Sequence, residues 1–375
     1  MAAIDRAGAV LTIDLAAIAA NYRLLAGRVG RAACAAVVKA DAYGLGADRV
    51  APTLARAGCR HFFVAFADEG FAVRRALDDA GFEGGGAPDV FVLSGAPRGD
   101  EGCLLDAGLV PVLNSLGDVD AWSALAGRTG RRLPAALHVD TGMARLGLPE
   151  NEVTALAAAP ERLDGVALRF ILSHLACADL PDHPLNGAQL EAFAAACRRL
   201  PPAPTSLANS SGIFLGPAFH GDLARPGAAL YGVAPRSGGA NPMAQVVQLE
   251  GKIIQVRQID RGRTIGYGAT HRTERATTVA TVAVGYADGY LRSLSNAGAA
   301  FVGGRRVPVV GRVSMDLITL DVTDVDAAVA CVGARVELLG ARVTVDDLAA
   351  AAGTIGYEIL TSLGDRYHRR YIGGD

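Results

Sequence analysis

The two lysines of the chain are its first candidates for chemistry. Of 375 residues, 36 are lysine or arginine, and only Lys39 and Lys252 are lysines. A lysine amine can lose its proton and act as a nucleophile or base, whereas a guanidinium keeps its charge. Lys39 follows the apolar run 35–38 and precedes a turn, while Lys252 lies among polar neighbours in a strand pattern. The sequence therefore predicts that Lys39 is reactive and that Lys252 is an ordinary solvated residue.

Other polar residues also fall where apolar strand patterns end. They are, in chain order, Lys39, Arg145, His174, Asn209, Ser210 and Arg225. The segments 209–212 and 225–228 contain small residues, which let a backbone approach an anion, and barrels commonly hold phosphate in the last two loops. A reactive lysine near a phosphate cradle predicts pyridoxal phosphate, which needs an amine for its aldehyde and a cradle for its phosphate.

These residues need a scaffold that brings strand ends together. Short apolar strands alternate with helical stretches after a first helix that Asp14 caps. Eight such units favour a closed (β/α)8 TIM-type barrel, although an open doubly wound sheet has almost the same pattern. The predicted strands lie near 33–39, 61–66, 89–94, 109–113, 134–140, 167–174, 204–208 and 222–225.

A Pro/Gly/Ser-rich break at 234–242 separates this alternation from a part dominated by strand patterns. We therefore expect an α/β fold, with a barrel domain over 1–240 and a mostly antiparallel β domain over 241–375. For residues 1–12, membership of the second domain is kept as an alternative. The strands predicted in the β domain lie near 246–259, 277–285, 307–313, 317–322 and 335–339.

Composition excludes several classes of protein. The net charge is −2 and no polybasic stretch occurs, which argues against a nucleic-acid partner. No apolar run reaches the roughly 18 residues of a membrane span, and the first segment is charged. The six cysteines show no zinc-like pairing, so no metal site is predicted. We expect a soluble, cytoplasmic protein.

Seven ordered segments resemble the motifs of alanine racemases. They are AVVKADAYG (36–44), VDTGMARLG (139–147), ANS (208–210), ARPG (224–227), VGYADG (284–289), GRVSMD (311–316) and GYEI (356–359). The resemblance extends over nearly the whole chain. It implies a barrel followed by a β domain, a homodimer with shared active sites, and interconversion of L- and D-alanine for peptidoglycan precursors.

The resemblance also implies a role for each matching residue. Lys39 corresponds to the lysine that binds pyridoxal 5′-phosphate and acts on one face of the substrate α-carbon. Tyr286 corresponds to the tyrosine that acts on the other face, supplied by the second subunit. The matching phosphate ligands are Tyr43, Ser210, Gly227, Ala228 and Tyr357. The other matches are Arg225 beside the pyridine nitrogen, Asn209 and His174 beside the ring, Arg145 near the phenolic oxygen and substrate carboxylate, and Met315 as a backbone donor to that carboxylate.

These residue types suit racemisation for chemical reasons. Two proton-transfer groups are needed on opposite faces of a planar carbanion, and an amine and a phenol can both serve as acid or base. A guanidinium that keeps its proton leaves the pyridine nitrogen largely unprotonated, which weakens the ring as an electron sink. Arg225 therefore favours reprotonation at the α-carbon over transamination.

His138 departs from the family pattern. Many alanine racemases have a carbamylated lysine two residues before the Asp-Thr-Gly motif, and its negative charge supports the arginine that matches Arg145. A histidine cannot carry that carbamate, and a partly buried guanidinium needs a balancing charge. We expect a bound anion, most simply chloride, or a nearby carboxylate close to Arg145 and His138.

Three alternatives remain open at this point. One is a racemase with broad or serine-preferring specificity, and another is a barrel-type decarboxylase, which Arg225 disfavours. The third, a non-catalytic pyridoxal phosphate carrier, is disfavoured by a second domain that contains Tyr286 and Met315.

Overall fold

The computed structural model describes residues 3–374, which form two compact units. The barrel unit comprises residues 18–230 and 234–243. The β unit comprises residues 3–17, 231–233 and 244–374. The N-terminal strand and the C-terminal third of the chain therefore belong to the same unit.

Eight parallel strand positions form the core of the barrel unit, and each coincides with a predicted strand. With β1 (Ala9–Asp14) belonging to the β unit, the barrel strands are β2 (Ala33–Cys34), β3 (Ala36–Val37), β4 (His61–Val64), β5 (Asp89–Val92), β6 (Val110–Leu113), β7 (Leu133–His138), β8 (Val166–Leu172), β9 (Thr205–Ser206) and β10 (Leu223–Ala224). Because β2 and β3 are two pieces of one strand on either side of Ala35, they count as the first position.

Hydrogen bonds close this sheet on itself. Strands β3 to β9 pair in chain order, and β10 pairs in parallel with β2. The N–H of Arg225 donates to the carbonyl of Ala208 at 2.8 Å, which joins the seventh position to the eighth. The N–H of Ala35 donates to Ala224 at 2.8 Å, which joins the first to the eighth. The closed barrel is confirmed over the open sheet.

Apolar strands and stacked aromatic rings fill the barrel interior. Every residue of β6 is buried, which is typical of a strand covered on both faces. Phe63 and Phe91 stack with ring centroids 4.7 Å apart, and Phe170 meets Phe91 edge-on at 5.8 Å. The interior is therefore a packed core, which leaves the strand ends as the place for chemistry.

Helices follow most barrel strands. The predicted N-terminal cap of the helix over 15–29 is confirmed, since the Asp14 carboxylate accepts the N–H of Ala17 at 2.9 Å. No helix within residues 3–374 is long and apolar enough to cross a membrane. The helices are α1 (Ala3–Arg6), α2 (Leu15–Val29), α3 (Lys39–Gly44), α4 (Ala47–Arg56), α5 (Ala67–Asp79), α6 (Gly102–Asp106), α7 (Leu116–Thr129), α8 (Glu150–Ala158), α9 (Pro184–Arg199), α10 (Val345–Ala352) and α11 (Gly356–Thr361).

The β unit is mostly antiparallel, as predicted. Its largest sheet has the order β16-β15-β18-β11-β1-β19, and β14 pairs with β11 and β17. Only the parallel β1–β19 pair departs from antiparallel pairing in the described part of this sheet. The strands are β11 (Val247–Ile259), β12 (Thr264–Ile265), β13 (His271–Arg272), β14 (Thr277–Val282), β15 (Ala299–Val302), β16 (Arg305–Pro308), β17 (Ile318–Asp321), β18 (Arg335–Leu339) and β19 (His368–Ile372).

Candidate functional site

Lys39 stands at the carboxyl end of β3, where α3 begins. The four residues after it are left-handed, with φ of 51° at Ala40, 53° at Asp41 and Ala42, and 58° at Tyr43. Each non-glycine residue in this region costs about 1–2 kcal/mol. Backbone strain of this kind is characteristic of sites where a side chain must be held in place. Burial and the Arg145 guanidinium lower the pKa of Lys39, and Glu69 opposes them.

A cradle of small residues lies beside this turn. The Ser210 hydroxyl accepts the N–H groups of Gly227 at 2.9 Å and Ala229 at 3.2 Å. A Cβ on Gly227 would lie 2.3 Å from the Tyr43 phenol oxygen, so only glycine admits the phenol there. Ala228 begins a one-turn 3-10 helix, Ala228–Tyr231, whose first N–H lacks an intrahelical partner. An anion in this cradle would compete with Ser210 for the Gly227 amide.

The guanidinium of Arg225 is buried among neutral oxygens. One nitrogen donates to the Ser206 carbonyl at 2.9 Å and to the Ser206 hydroxyl, and another donates to the Ser173 carbonyl. Arg225 takes part in none of the ion pairs formed within residues 3–374. Burial lowers the pKa of Arg225 to about 10.

His174 lies just after β8, and Asn209 lies just after β9. Burial lowers the pKa of His174 well below its ordinary value, with further lowering from Arg225 and Arg145. The Asn209 amide donates to the Leu175 carbonyl at 3.2 Å, which ties two loops together.

Sequence reasoning missed Gln189, a buried residue of α9. Its amide donates to the His174 carbonyl at 2.9 Å and to the Thr141 hydroxyl at 3.2 Å, and its oxygen accepts the Ala176 N–H at 2.9 Å. It therefore supports His174 through the backbone. Its place on an amphipathic helix gave no sequence signal for this role.

Arg145 is exposed, whereas the sequence led us to expect partial burial, and it lies on a loop that the Asp140 carboxylate organises. Asp140 accepts three successive backbone N–H groups, from Gly142 at 2.9 Å, Met143 at 3.0 Å and Ala144 at 3.1 Å. Ala144 has a φ of 54°, a conformation that favours glycine. Asp140 therefore aims the loop without neutralising Arg145, which is in none of the ion pairs of the described chain.

His138 is neutral at neutral pH. Burial, the Arg225 guanidinium and Arg145 lower the pKa of His138 to about 4, against the opposing charge of Asp140. The Asn114 amide nitrogen donates to the carbonyls of Leu93 at 2.9 Å and Val112 at 3.0 Å, so its oxygen must face His138 Nδ1, 2.8 Å away. Nδ1 is therefore the protonated nitrogen, and Nε2 is left as an acceptor.

The barrel unit places most of the residues predicted to hold pyridoxal phosphate at the carboxyl ends of its strands. The Tyr43 phenol lies against Gly227, and Ser210 accepts the Gly227 N–H. Ala228 and Arg225 lie on either side of Gly227 along the chain, and Lys39 begins the turn that ends in Tyr43. His174 and Arg145 interact electrostatically with Lys39. A desolvated amine, a small-residue cradle and a buried guanidinium without a carboxylate fit an anionic aldehyde cofactor. We conclude that the residues present fit the group.

In the β unit, the structure brings Tyr286 and Met315 together. The N–H of Tyr286 donates to the Ser314 carbonyl and that of Ala287 to the Met315 carbonyl, both at 3.0 Å. Tyr286 is 42% exposed and Met315 53% exposed. Arg366 bridges the neighbouring Asp288 and Asp316 at 2.6 and 2.7 Å, which fixes the two loops.

The β unit holds two more exposed tyrosines. Tyr357 lies in α11 and is 39% exposed, while Tyr267, which sequence reasoning missed, is 73% exposed. Tyr267 sits between Gly266 and Gly268, both with positive φ. A Cβ on Gly268 would lie 2.7 Å from Arg312 Nη1, so a guanidinium rests against this loop. The signal that could have revealed Tyr267 is the Gly-Tyr-Gly sequence, in which glycines present a phenol on a tight turn.

Comparisons with known proteins agree over almost the full length. The family models "Alanine racemase, N-terminal domain" and "Alanine racemase, C-terminal domain" match residues 13–235 and 246–371. An alanine racemase of Rhodospirillum rubrum is 55% identical over 371 residues, covering 98% of this chain and 97% of that protein. A catabolic alanine racemase of Mesorhizobium japonicum is 52% identical over 98% of this chain and 94% of its own length.

Solved structures give the same result. The alanine racemase of Bartonella henselae, which contains covalently bound pyridoxal phosphate, has a TM-score of 0.92 at 42% identity, covering 98% of this chain and 100% of that one. The biosynthetic alanine racemase of Pseudomonas aeruginosa has a TM-score of 0.89 at 36% identity, with coverage of 98% and 100%. The chain belongs to the alanine racemase family.

Proposed function

We propose that the chain is an isomerase that interconverts L- and D-alanine with pyridoxal 5′-phosphate, using Lys39 and a tyrosine of the β unit as its two acid/base groups. The observation that carries the proposal is the amine of Lys39, whose pKa is lowered by burial and by Arg145, at a barrel strand end beside an anion cradle. Family membership supports the same activity.

The cofactor, when bound, supplies the electron sink that makes the α-proton of the amino acid acidic. Ser210, Gly227, Ala228, Tyr43 and Tyr357 would hold its phosphate. Asn209 and His174 would support the ring, and Arg225 would face the pyridine nitrogen. Because the pKa of Arg225 is about 10, its guanidinium stays charged at neutral pH and donates rather than accepts. That favours return of the proton to the α-carbon over transamination.

Lys39 takes or returns the proton on one face of the substrate. A lowered pKa increases the neutral fraction of the amine near pH 7, which is the form that accepts a proton. Arg145 and the backbone N–H of Met315 bind the substrate carboxylate. Their charge and direction would keep the α-carbon within reach of the amine.

The second proton-transfer group is Tyr286 or Tyr267. The motif resemblance assigns Tyr286, whose neighbours Asp288 and Asp316 are already neutralised by Arg366. Tyr267 has the larger exposed fraction and has the Arg312 guanidinium against its loop. A turn between two glycines and the larger exposed fraction favour Tyr267 as the phenol that can reach a substrate.

A bound anion, most simply chloride, completes the surroundings of Arg145. Neutral His138 offers an acceptor but no charge, and none of the ion pairs of the described chain includes Arg145. The carboxylate alternative has less support, because Asp140 is occupied by three backbone N–H groups.

The active enzyme is a homodimer with shared sites, in which each β unit serves the partner subunit. Support comes from Tyr286 and Met315, large side chains that are 42% and 53% exposed. The D-alanine would supply peptidoglycan synthesis, and the free state of all six cysteines supports a cytoplasmic location. The relatives include enzymes named as catabolic and as biosynthetic, so this metabolic role is part of the proposal.

The two lysines give a direct test of the cofactor assignment. Lys39→Ala should abolish the visible absorbance of the lysine–cofactor linkage, because Lys39 alone stands at the strand ends. Lys252→Ala is the matched control and should keep that absorbance, since its amine bonds the Asp5 carbonyl in the β unit. Loss of the absorbance in the Lys252 variant, with retention in the Lys39 variant, would overturn the assignment.

Exchange of the α-proton with deuterated water identifies the second acid/base group. A variant that lacks it should still exchange one enantiomer of alanine through Lys39 while the other nearly stops. Exposure on the Gly-Tyr-Gly turn predicts this asymmetry for Tyr267→Phe, and the motif assignment predicts it for Tyr286→Phe, so each variant is the control for the other. If neither variant shows an asymmetry, neither Tyr267 nor Tyr286 is the second group.

The anion proposal predicts a specific salt response. Activity should be unchanged when dissolved carbon dioxide is removed, because His138 cannot form a carbamate. In a chloride-free gluconate buffer, activity should fall and should recover on addition of chloride. A loss on removal of carbon dioxide that bicarbonate reverses and chloride does not would contradict the proposal.

A further inference from the structure

The left-handed turn after Lys39 needs an external support. Ala40, Asp41, Ala42 and Tyr43 all carry side chains, and all have φ between 51° and 58°. Within the turn, the N–H of Ala42 donates to the Val38 carbonyl at 2.9 Å. Only Asp41 is of a type that adopts this handedness with some frequency, so the surrounding structure must impose it on the two alanines and Tyr43.

Glu69 supplies that support from the first turn of α5. One carboxylate oxygen accepts the N–H of Ala40, the residue next to Lys39, at 2.6 Å. The other accepts the N–H groups of Ala65 at 2.7 Å and Phe66 at 3.2 Å. A single carboxylate therefore joins the strained turn to the loop between β4 and α5.

The helix that carries Glu69 is itself held firmly. A Cβ on Gly70 would lie 2.8 Å from Leu109 and 3.4 Å from Val92, so α5 packs directly on the barrel wall at this point. Glu69 thus has a rigid base from which to fix the turn. At the other end of the turn, the Asp41 carboxylate accepts the N–H of Ala47 at 2.7 Å.

We propose that Glu69 is a positioning residue for Lys39, which holds the strained turn through the Ala40 N–H. Its carboxylate charge also acts on the Lys39 amine and raises the pKa of that amine. This rests on the proposed role of Lys39. The charged groups that act on this amine are Arg145 from the loop after β7 and Glu69 from α5. The titratable His174 after β8, whose pKa the Lys39 amine helps to lower, is neutral. Glu69 is the acidic member of this group and opposes Arg145.

The test uses the scarcity of lysine. Competitive acylation with limiting acetic anhydride, read by peptide mass spectrometry, reports the titration of Lys39 and Lys252 separately in the full-length chain after cofactor removal. Glu69→Gln keeps the size of the side chain but removes its charge. Lys39 should then titrate at a lower pH than in the unmodified chain, while Lys252 is unchanged. Asp68→Asn, at the exposed neighbouring acid of α5, should change neither.

The loaded enzyme provides a second measurement. Glu69→Gln should lower kcat about 10- to 100-fold, the usual effect of losing a charge-assisted hydrogen bond, and should shift the acidic limb of its pH profile downward. If Glu69→Gln folds poorly, Ala40→Gly in the same chain relieves the strain without restoring the charge.

The proposal is overturned if Lys39 titrates at an unchanged pH in Glu69→Gln, or in the double variant that combines Glu69→Gln with Ala40→Gly. This holds whatever happens to activity. That outcome is distinct from failure of the proposed function, which appears as an intact cofactor linkage in Lys39→Ala.

Discussion

Uncompensated positive charge at the strand ends is the constraint on which the site depends. Arg225 is buried among neutral oxygens, and neither it nor Arg145 is in an ion pair of the described chain. A buried cation is tolerated only where hydrogen bonds and a counter-charge balance it. Burial and this positive charge favour the neutral forms of three nearby groups, since the pKa values of Lys39, His138 and His174 are all lowered. The excess positive charge at this site favours the binding of anions.

The same charge connects binding with proton transfer. A phosphate or a substrate carboxylate would offset Arg225 and Arg145, while the amine of Lys39 remains easy to deprotonate. The barrel supplies the rigidity this needs: its packed aromatic interior fixes the strands, and Asp140, Gln189 and Asn114 fix the loops through backbone bonds. Glu69 is the local exception, an acidic group close to the amine, and its bond to Ala40 holds the one strained turn beside Lys39.

The sequence allowed the eight barrel strands and the residues at their ends to be predicted, because apolar runs and abrupt polar ends are local signals. It did not distinguish a closed barrel from an open sheet, since closure depends on bonds such as Ala35 to Ala224 between distant segments. Strand β1 was missed because it is completed by β11 and β19, far along the chain. Glu69, Asn114 and Gln189 were missed for a related reason. Each acts on another element through the backbone, and no residue spacing records that contact.

The central claim is that burial, together with the positive charge of Arg225 and Arg145, keeps His138 and His174 neutral, and nuclear magnetic resonance of the imidazole Cε1–H groups tests it most directly. The chain has seven histidines, and His138→Asn and His174→Asn variants assign the two signals. In full-length, cofactor-free protein at low chloride, both signals should stay at their neutral positions from pH 8 to about pH 5, since the pKa of His138 is lowered to about 4 and that of His174 is also well below its ordinary value. Protonation of either ring with a midpoint near 6.5, the value of a free imidazole, would contradict the account.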